Sequence, residues 1–206
     1  MANLGKSLVF YLKHAAEMER LYTPMSESDE KPKLQIDGVE DAQQVLSMVK
    51  RVGDAASREA GDFLNKCSKQ IEEHLNSFGR AKRCRSKPEE CWEVWWRLYP
   101  KKRSNRRFSL GVGIYELDRT IVPWVLSQGG RRAADEILRI LKRGERGREV
   151  DPNYFGTGCV VLDRISVSIP DTPGTFVVDQ EPLIHRVVQA MALGAKEAEE
   201  IAAIGN

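Results

Sequence analysis

The chain reads as an α+β protein: a helical N-terminal half with a long amphipathic helix, as an antiparallel hairpin or coiled coil, plus a small C-terminal sheet-containing half. Three observations predict it. Apolar residues recur at steps of three and four from Leu4 to Tyr22 and from Leu46 to Phe78, the repeat of helices with one buried face. Residues 108–114 instead alternate, Phe108, Leu110, Val112 and Ile114 against Ser109, Gly111 and Gly113, the period of a strand. A composition of 41% hydrophobic and 30% charged residues over 206 positions supplies one substantial core and argues against wholesale disorder.

The first helix places Leu4, Leu8, Leu12, Ala15, Met18 and Tyr22 on one face and ends before Thr23-Pro24. Residues 23–36 read as a polar linker, in which Ser26 and Ser28 stand among acids; a solvated loop explains them better than a phosphorylation site. Asp37 and Glu40 form a capping-box pattern that opens the second helix. Its stripe passes through Val45, Leu46, Val49, Val52, Ala56, Ala60, Phe63, Leu64, Cys67, Ile71, Leu75 and Phe78 with no proline. Such a helix is about 60 Å long at the rise of 1.5 Å per residue. It cannot bury its stripe alone. It calls for the first helix folded back on it or for a partner chain, so a homo-oligomer formed through the long helix is expected.

Ser86, Pro88 and Glu89 open a third expected helix, which runs to Tyr99-Pro100. After the strand at 108–114, residues 119–127 are left open between helix and loop because Pro123 interrupts them. A helix follows from Gly130 to Arg143, then a strand from Cys159 to Ile169 that pairs in a hairpin with Thr175–Val178, then a helix from Pro182 to Ile204. The expected division is a helical region, 1–100, and a small α+β domain, 101–206.

Charge carries the functional reading. A net charge of +2 conceals a basic stretch: residues 80–107 hold eleven Lys/Arg against Glu89, Glu90 and Glu93, a net +8, which leaves −6 on the remainder. Residues 149–206 alone carry −6, so the chain is electrically bipolar. One basic cluster, Arg80, Lys82, Arg83 and Arg85, leaves the C-terminal end of the long helix. A second, Lys101, Lys102, Arg103, Arg106 and Arg107, lies between the third helix and the strand. Two such clusters flanking a short helix can track a phosphate backbone, with arginine forks and lysine point charges neutralising phosphates. The leading expectation is a non-enzymatic nucleic-acid-binding protein that uses these nine residues. RNA or single strands are favoured, since no duplex-reading motif is present. The plainer account is a solvated surface, or a partner for the acidic C-terminal third.

Trp92, Trp95, Trp96 and Tyr99 accompany the cations and could stack bases. Their steps of three, one and three put all four on one face of the expected helix. Core packing is therefore the better account, and the charges rather than the rings carry the reading. The further basic run from Arg131 to Arg148 fits cations near a helix C-terminus.

Catalytic and cofactor patterns are weak. No glycine group forms a phosphate loop or a dinucleotide fingerprint. His14, His74 and His185 fall on three separate helices with no local pairing motif. Asp171, Asp179 and Glu181 make an acid set of the kind that holds a divalent metal in nucleases, but the usual lysine is missing and helix capping through Pro182 explains them better. Four cysteines, at 67, 84, 91 and 159, show no zinc spacing and are expected as reduced thiols. No metal and no cofactor is expected.

The N-terminus shows no secretory pattern, and its longest apolar run, Leu8 to Leu12, is far too short to span a bilayer. The expected location is cytoplasmic, or nuclear in a eukaryotic or viral setting, where Lys101–Arg107 also fits a localisation run. The competing function is an oligomeric, matrix-like assembly whose basic patch contacts acidic membrane or the acidic C-terminal region of a neighbouring subunit.

Overall fold

A computed structural model describes residues 3–22, 39–84, 92–100, 108–115, 119–127, 159–169 and 177–204. The two helical repeats form as their periods require. α1 spans Lys6–Tyr22, and α2 spans Val39–Phe78, 40 residues long. Leu8 meets Glu59 and Tyr11 lies over Gly53, so α1 folds back antiparallel on α2. The Glu59 carboxylate accepts the Leu8 N–H at 2.7 Å and packs where a Cβ on Gly5 would sit. A side chain of α2 thus caps the first turn of α1, one of whose amide groups would otherwise lack a partner. Farther along, His14 departs from helical geometry (φ −116°, ψ 16°). There Arg119 reaches in and donates to the Lys13 carbonyl at 3.2 Å, a side chain inserted at a kink.

Six strands follow: β1 (Gly79–Cys84), β2 (Glu93–Pro100), β3 (Phe108–Tyr115), β4 (Thr120–Ser127), β5 (Cys159–Val161) and β6 (Ile165–Ser166). They form one antiparallel sheet in the order β1-β2-β3-β4-β5, with β6 also paired to β4. The last helix, α3, spans Glu181–Ile204. The fold is α+β with a helical N-terminal half, as the sequence predicts.

Several elements differ from expectation. The helix expected to end at Tyr99 is instead, over Glu93–Pro100, strand β2; its expected start, 86–91, lies outside the described residues. Val94, Trp96 and Leu98 alternate with Glu93, Trp95, Arg97 and Tyr99, and β3 offers a ladder to that pattern from Glu93 to Leu98. Residues 80–84 are likewise strand, because α2 stops at Phe78 and passes directly into β1. The sheet therefore begins at residue 79, within the region expected to be helical.

Residues 120–127, left open between helix and loop, form a strand despite Pro123. The Pro123 carbonyl accepts the Leu162 N–H at 2.8 Å, on the side where pairing passes from β5 to β6. A residue's N and C=O point to the same side of a strand, so the missing N–H falls where the ladder is already interrupted. The expected 159–169 strand is two short strands on β4, and Val177–Val178 makes no hairpin with them. Val178 instead accepts the Leu4 N–H at 2.8 Å, beside a bridge from Asn3 to Asp179. The expected linker and the helix at 130–143 lie outside the described residues.

The three described helices pack on one side of the sheet. Leu8, Val9 and Leu12 of α1, Phe63, Leu64, Cys67, Ile71 and Leu75 of α2, and Val187 and Met191 of α3 share a core with Trp96, Phe108, Leu110, Val112, Ile121 and Val125. The stripe of α2 from Ala56 to Leu75 is thus covered within one chain, and the helix's length does not by itself call for a second one. Among its described side chains, large apolar ones stand in solvent near its start, Leu46 at 49% and Met48 at 61% exposure.

The opposite side of the sheet is closed over its centre. β3 is buried from Phe108 through Ile114 without alternation, the pattern of a strand covered on both faces. The Trp124 indole of β4 lies against Gly111, occupying the space a side chain there would need. Its indole N–H crosses to β2 and donates to Glu93 at 2.8 Å. The small residues of β3 therefore accommodate a tryptophan.

Candidate nucleic-acid interface

What remains open on that side is the β1–β2 edge of the sheet. Residues paired across an antiparallel ladder project to the same face. The pairs Ala81–Leu98 and Arg83–Trp96 turn toward the helices, and Lys82–Arg97 and Cys84–Trp95 turn away from them. Trp96, on the inner face, is 1% exposed and donates its indole N–H to Glu72 at 3.1 Å. Arg83 bonds the Asn65 side chain of α2 at 2.7 Å. Arg83 thus serves the helix–sheet seam, at an exposed position.

On the outer face Lys82 and Tyr99 are exposed, and Arg97, Trp95 and Cys84 are half-buried. Lys82 and Arg97 stand directly opposite one another, about 5 Å apart at Cβ by ladder geometry. Among the described residues no carboxylate pairs with either. The Arg97 Nε is buried with no hydrogen-bond partner. Two adjacent cations with no carboxylate partner among the described residues repel, and an anion between them relieves that repulsion. The plain alternative is an edge strand kept charged so that it does not pair with another chain. That accounts for Lys82 but not for Arg97, which lies on the interior strand β2.

The nine expected site residues fare unequally. Lys82 belongs to this face, and Arg80 lies opposite Tyr99 in the backbone register. Arg83 faces the helices. Arg85, Lys101, Lys102, Arg103, Arg106 and Arg107 lie outside the described residues. The clusters bracket a strand rather than a short helix. Cys84, which precedes Arg85, and Pro100, which precedes Lys101, stand at opposite ends of the β1–β2 ladder, about 17 Å apart at the rise of a strand.

The sequence reading leaves Arg97 out of the nine site residues and assigns Trp95 and Tyr99 to core packing. The expected single aromatic face does not form: Trp95 and Tyr99 project away from the helices and Trp96 toward them, while Trp92 packs against the helix-side core and Tyr11. The period-two alternation of residues 93–99 was the signal for this division.

Other chemistry-bearing groups have structural partners. Asp179 accepts the Glu181 N–H at 3.1 Å, capping α3. Burial pushes the Cys67 thiol up to about 12, so it stays protonated and unreactive. Cys159 is fully buried. His14 packs on Phe10 with ring centroids 4.7 Å apart. Among the described residues no group of His, Cys, Asp and Glu is arranged to hold a metal ion, and no helix is long and apolar enough to cross a membrane. No protein-family model, curated protein or solved structure matches the chain, so a functional reading rests on this charged edge and the sequence around it.

Proposed function

We propose that the protein binds nucleic acid without catalysing a reaction, favouring RNA or single strands, through the basic surface of residues 80–107. The observation that supports this reading is the pair Lys82 and Arg97 on the exposed side of β1 and β2, which no carboxylate among the described residues neutralises. Phosphates neutralise both cations and release condensed counterions, so affinity falls as salt rises, by about 0.7 log units per log of salt for each phosphate contact on a single strand. The further cations at 101–107 follow β2 directly in the chain and extend the same charge.

The test is oligonucleotide binding across a salt series. Lys82→Glu with Arg97→Glu is expected to weaken binding at least tenfold at low salt and to flatten the salt dependence by about 1.4, two contacts' worth. Charge reversal at Lys101, Lys102 and Arg103 is expected to act in the same direction. Unchanged affinity in both variants would sink the assignment. The assembly reading keeps one observation in its favour, the exposed Leu46 and Met48 at the start of α2. Light scattering that changed on Leu46→Glu while oligonucleotide affinity held would favour it.

A further inference from the structure

We infer that Trp95 and Tyr99 form a stacking platform for the unpaired bases of a single strand whose phosphates lie along Lys82 and Arg97. This rests on the nucleic-acid reading above and adds to it a class of ligand and a set of recognition residues. Three observations carry it.

The first is alternation. On the outer side of β2, residues 95, 97 and 99 present a ring, a guanidinium and a ring. Trp95 and Tyr99 stand about 13 Å apart at the rise of a strand. Successive bases in a duplex stack lie only about 3.4 Å apart. Rings at the wider spacing, with a cation between them, suit bases splayed from an unpaired strand with an intervening phosphate on Arg97.

The second is exposure. Tyr99 is 43% exposed, and the other described Phe, Tyr and Trp side chains are buried or half-buried. Packing accounts for Trp96, Trp124 and Phe108, all within 1% of complete burial. It does not account for Tyr99. A phenol ring left in solvent beside cations offers a π-face to any base, whatever its identity.

The third is the limited width of the open surface. Ser109, Gly111, Gly113, Val122 and Trp124, next on the same face, are buried. Among the described residues, the part of this face open to a ligand is therefore the two strands β1 and β2, a strip about 10 Å wide at 4.8 Å per strand. The strip offers one row of rings and one cross-strand pair of cations, enough to follow one backbone.

The experiment compares two labelled oligomers of equal length on the full chain, one of thymidines and one of abasic sugar-phosphate units, by fluorescence anisotropy. Stacking predicts that the wild-type chain prefers the thymidine oligomer. Tyr99→Ala is expected to weaken that complex about 5- to 150-fold and to leave the abasic complex unchanged. Tyr99→Phe, which keeps the ring, is expected to bind as the wild type does. The inference is overturned if Tyr99→Ala leaves thymidine binding intact. Equal weakening of both complexes also overturns it, since a lost stack cannot weaken a strand without bases. Binding of both oligomers with equal affinity removes the platform and leaves the phosphate reading standing. Binding of neither removes the nucleic-acid reading itself.

Discussion

On the helix-packed side of β2, Trp96 is 1% exposed and donates its indole N–H to Glu72. On the other side of the same strand its neighbour Trp95 is half-buried, opposite Cys84 of β1 and Gly111 of β3 in the register. The two residues are chemically identical and adjacent. One ladder step sends them to opposite faces, and the faces have different work. The inner face holds α2 and α3 against the sheet with Val94, Trp96 and Leu98. The outer face, once Trp124 has closed over Gly111, leaves Lys82 and Tyr99 exposed beside the half-buried Arg97. Stability is concentrated on one side of this strand and the proposed recognition on the other.

The largest effect that should separate the two faces is a truncation of each tryptophan. Trp96→Ala removes a fully buried side chain from the helix–sheet seam and leaves Glu72 without its donor, so a loss of about 3–5 kcal/mol is expected. Trp95→Ala should cost less than about 1.5 kcal/mol, because its ring is partly in solvent already. Urea unfolding of both variants measures the contrast. Equal losses would mean that the outer face is as much a core as the inner one, and the division would fail.

The sequence made the helices legible and concealed this division. The stripes of α1 and α2 repeat over several turns, and no other period fits them. Residues 92–99 fit two periods. Trp92, Trp95, Trp96 and Tyr99 repeat at helical steps, while Val94, Trp96 and Leu98 repeat at strand steps, and the Ser86-Pro88-Glu89 cap pattern tipped the reading toward helix. What decides the matter is tertiary: β3, itself readable from its alternation, offers β2 a ladder partner, and a ladder selects period two. The site suffered the same ambiguity. Lys82 was visible as a charge, but its pairing with Arg97 depends on the β1–β2 register, which local composition does not encode. The matching of Gly111 to Trp124 also joins two strands by register, so the glycines of β3 showed only that one face was small.

A middle-sized effect probes that closure directly. Gly111→Val adds a branched side chain in the space held by the Trp124 indole, and a ring that size has no flexible end to give way. A cost of about 1–3 kcal/mol is expected from overpacking. The double variant Gly111→Val with Trp124→Ala should recover part of it, since the two changes act on one contact. Thermal or urea unfolding of the four chains in that cycle gives the coupling. Strictly additive losses would show that the indole does not rest on Gly111.

The smallest effect is the most discriminating, because stability and binding should move in opposite directions. Lys82→Glu places a carboxylate directly opposite Arg97, turning a repulsive cross-strand pair into an attractive one. The gain expected for such a pair at an exposed edge is about 0.2–1 kcal/mol, and it should shrink as salt rises. The same substitution removes a phosphate contact and occupies the Arg97 guanidinium, so affinity for single-stranded oligonucleotides should fall. A chain selected for stability alone would favour the acid at position 82; edge protection calls for a charge there, and an anion held at the edge calls for its positive sign. Urea midpoints and oligonucleotide titrations at two salt concentrations measure both halves. If Lys82→Glu lowers stability, Arg97 already has its counter-charge, and the argument for an anion at this edge loses its physical basis.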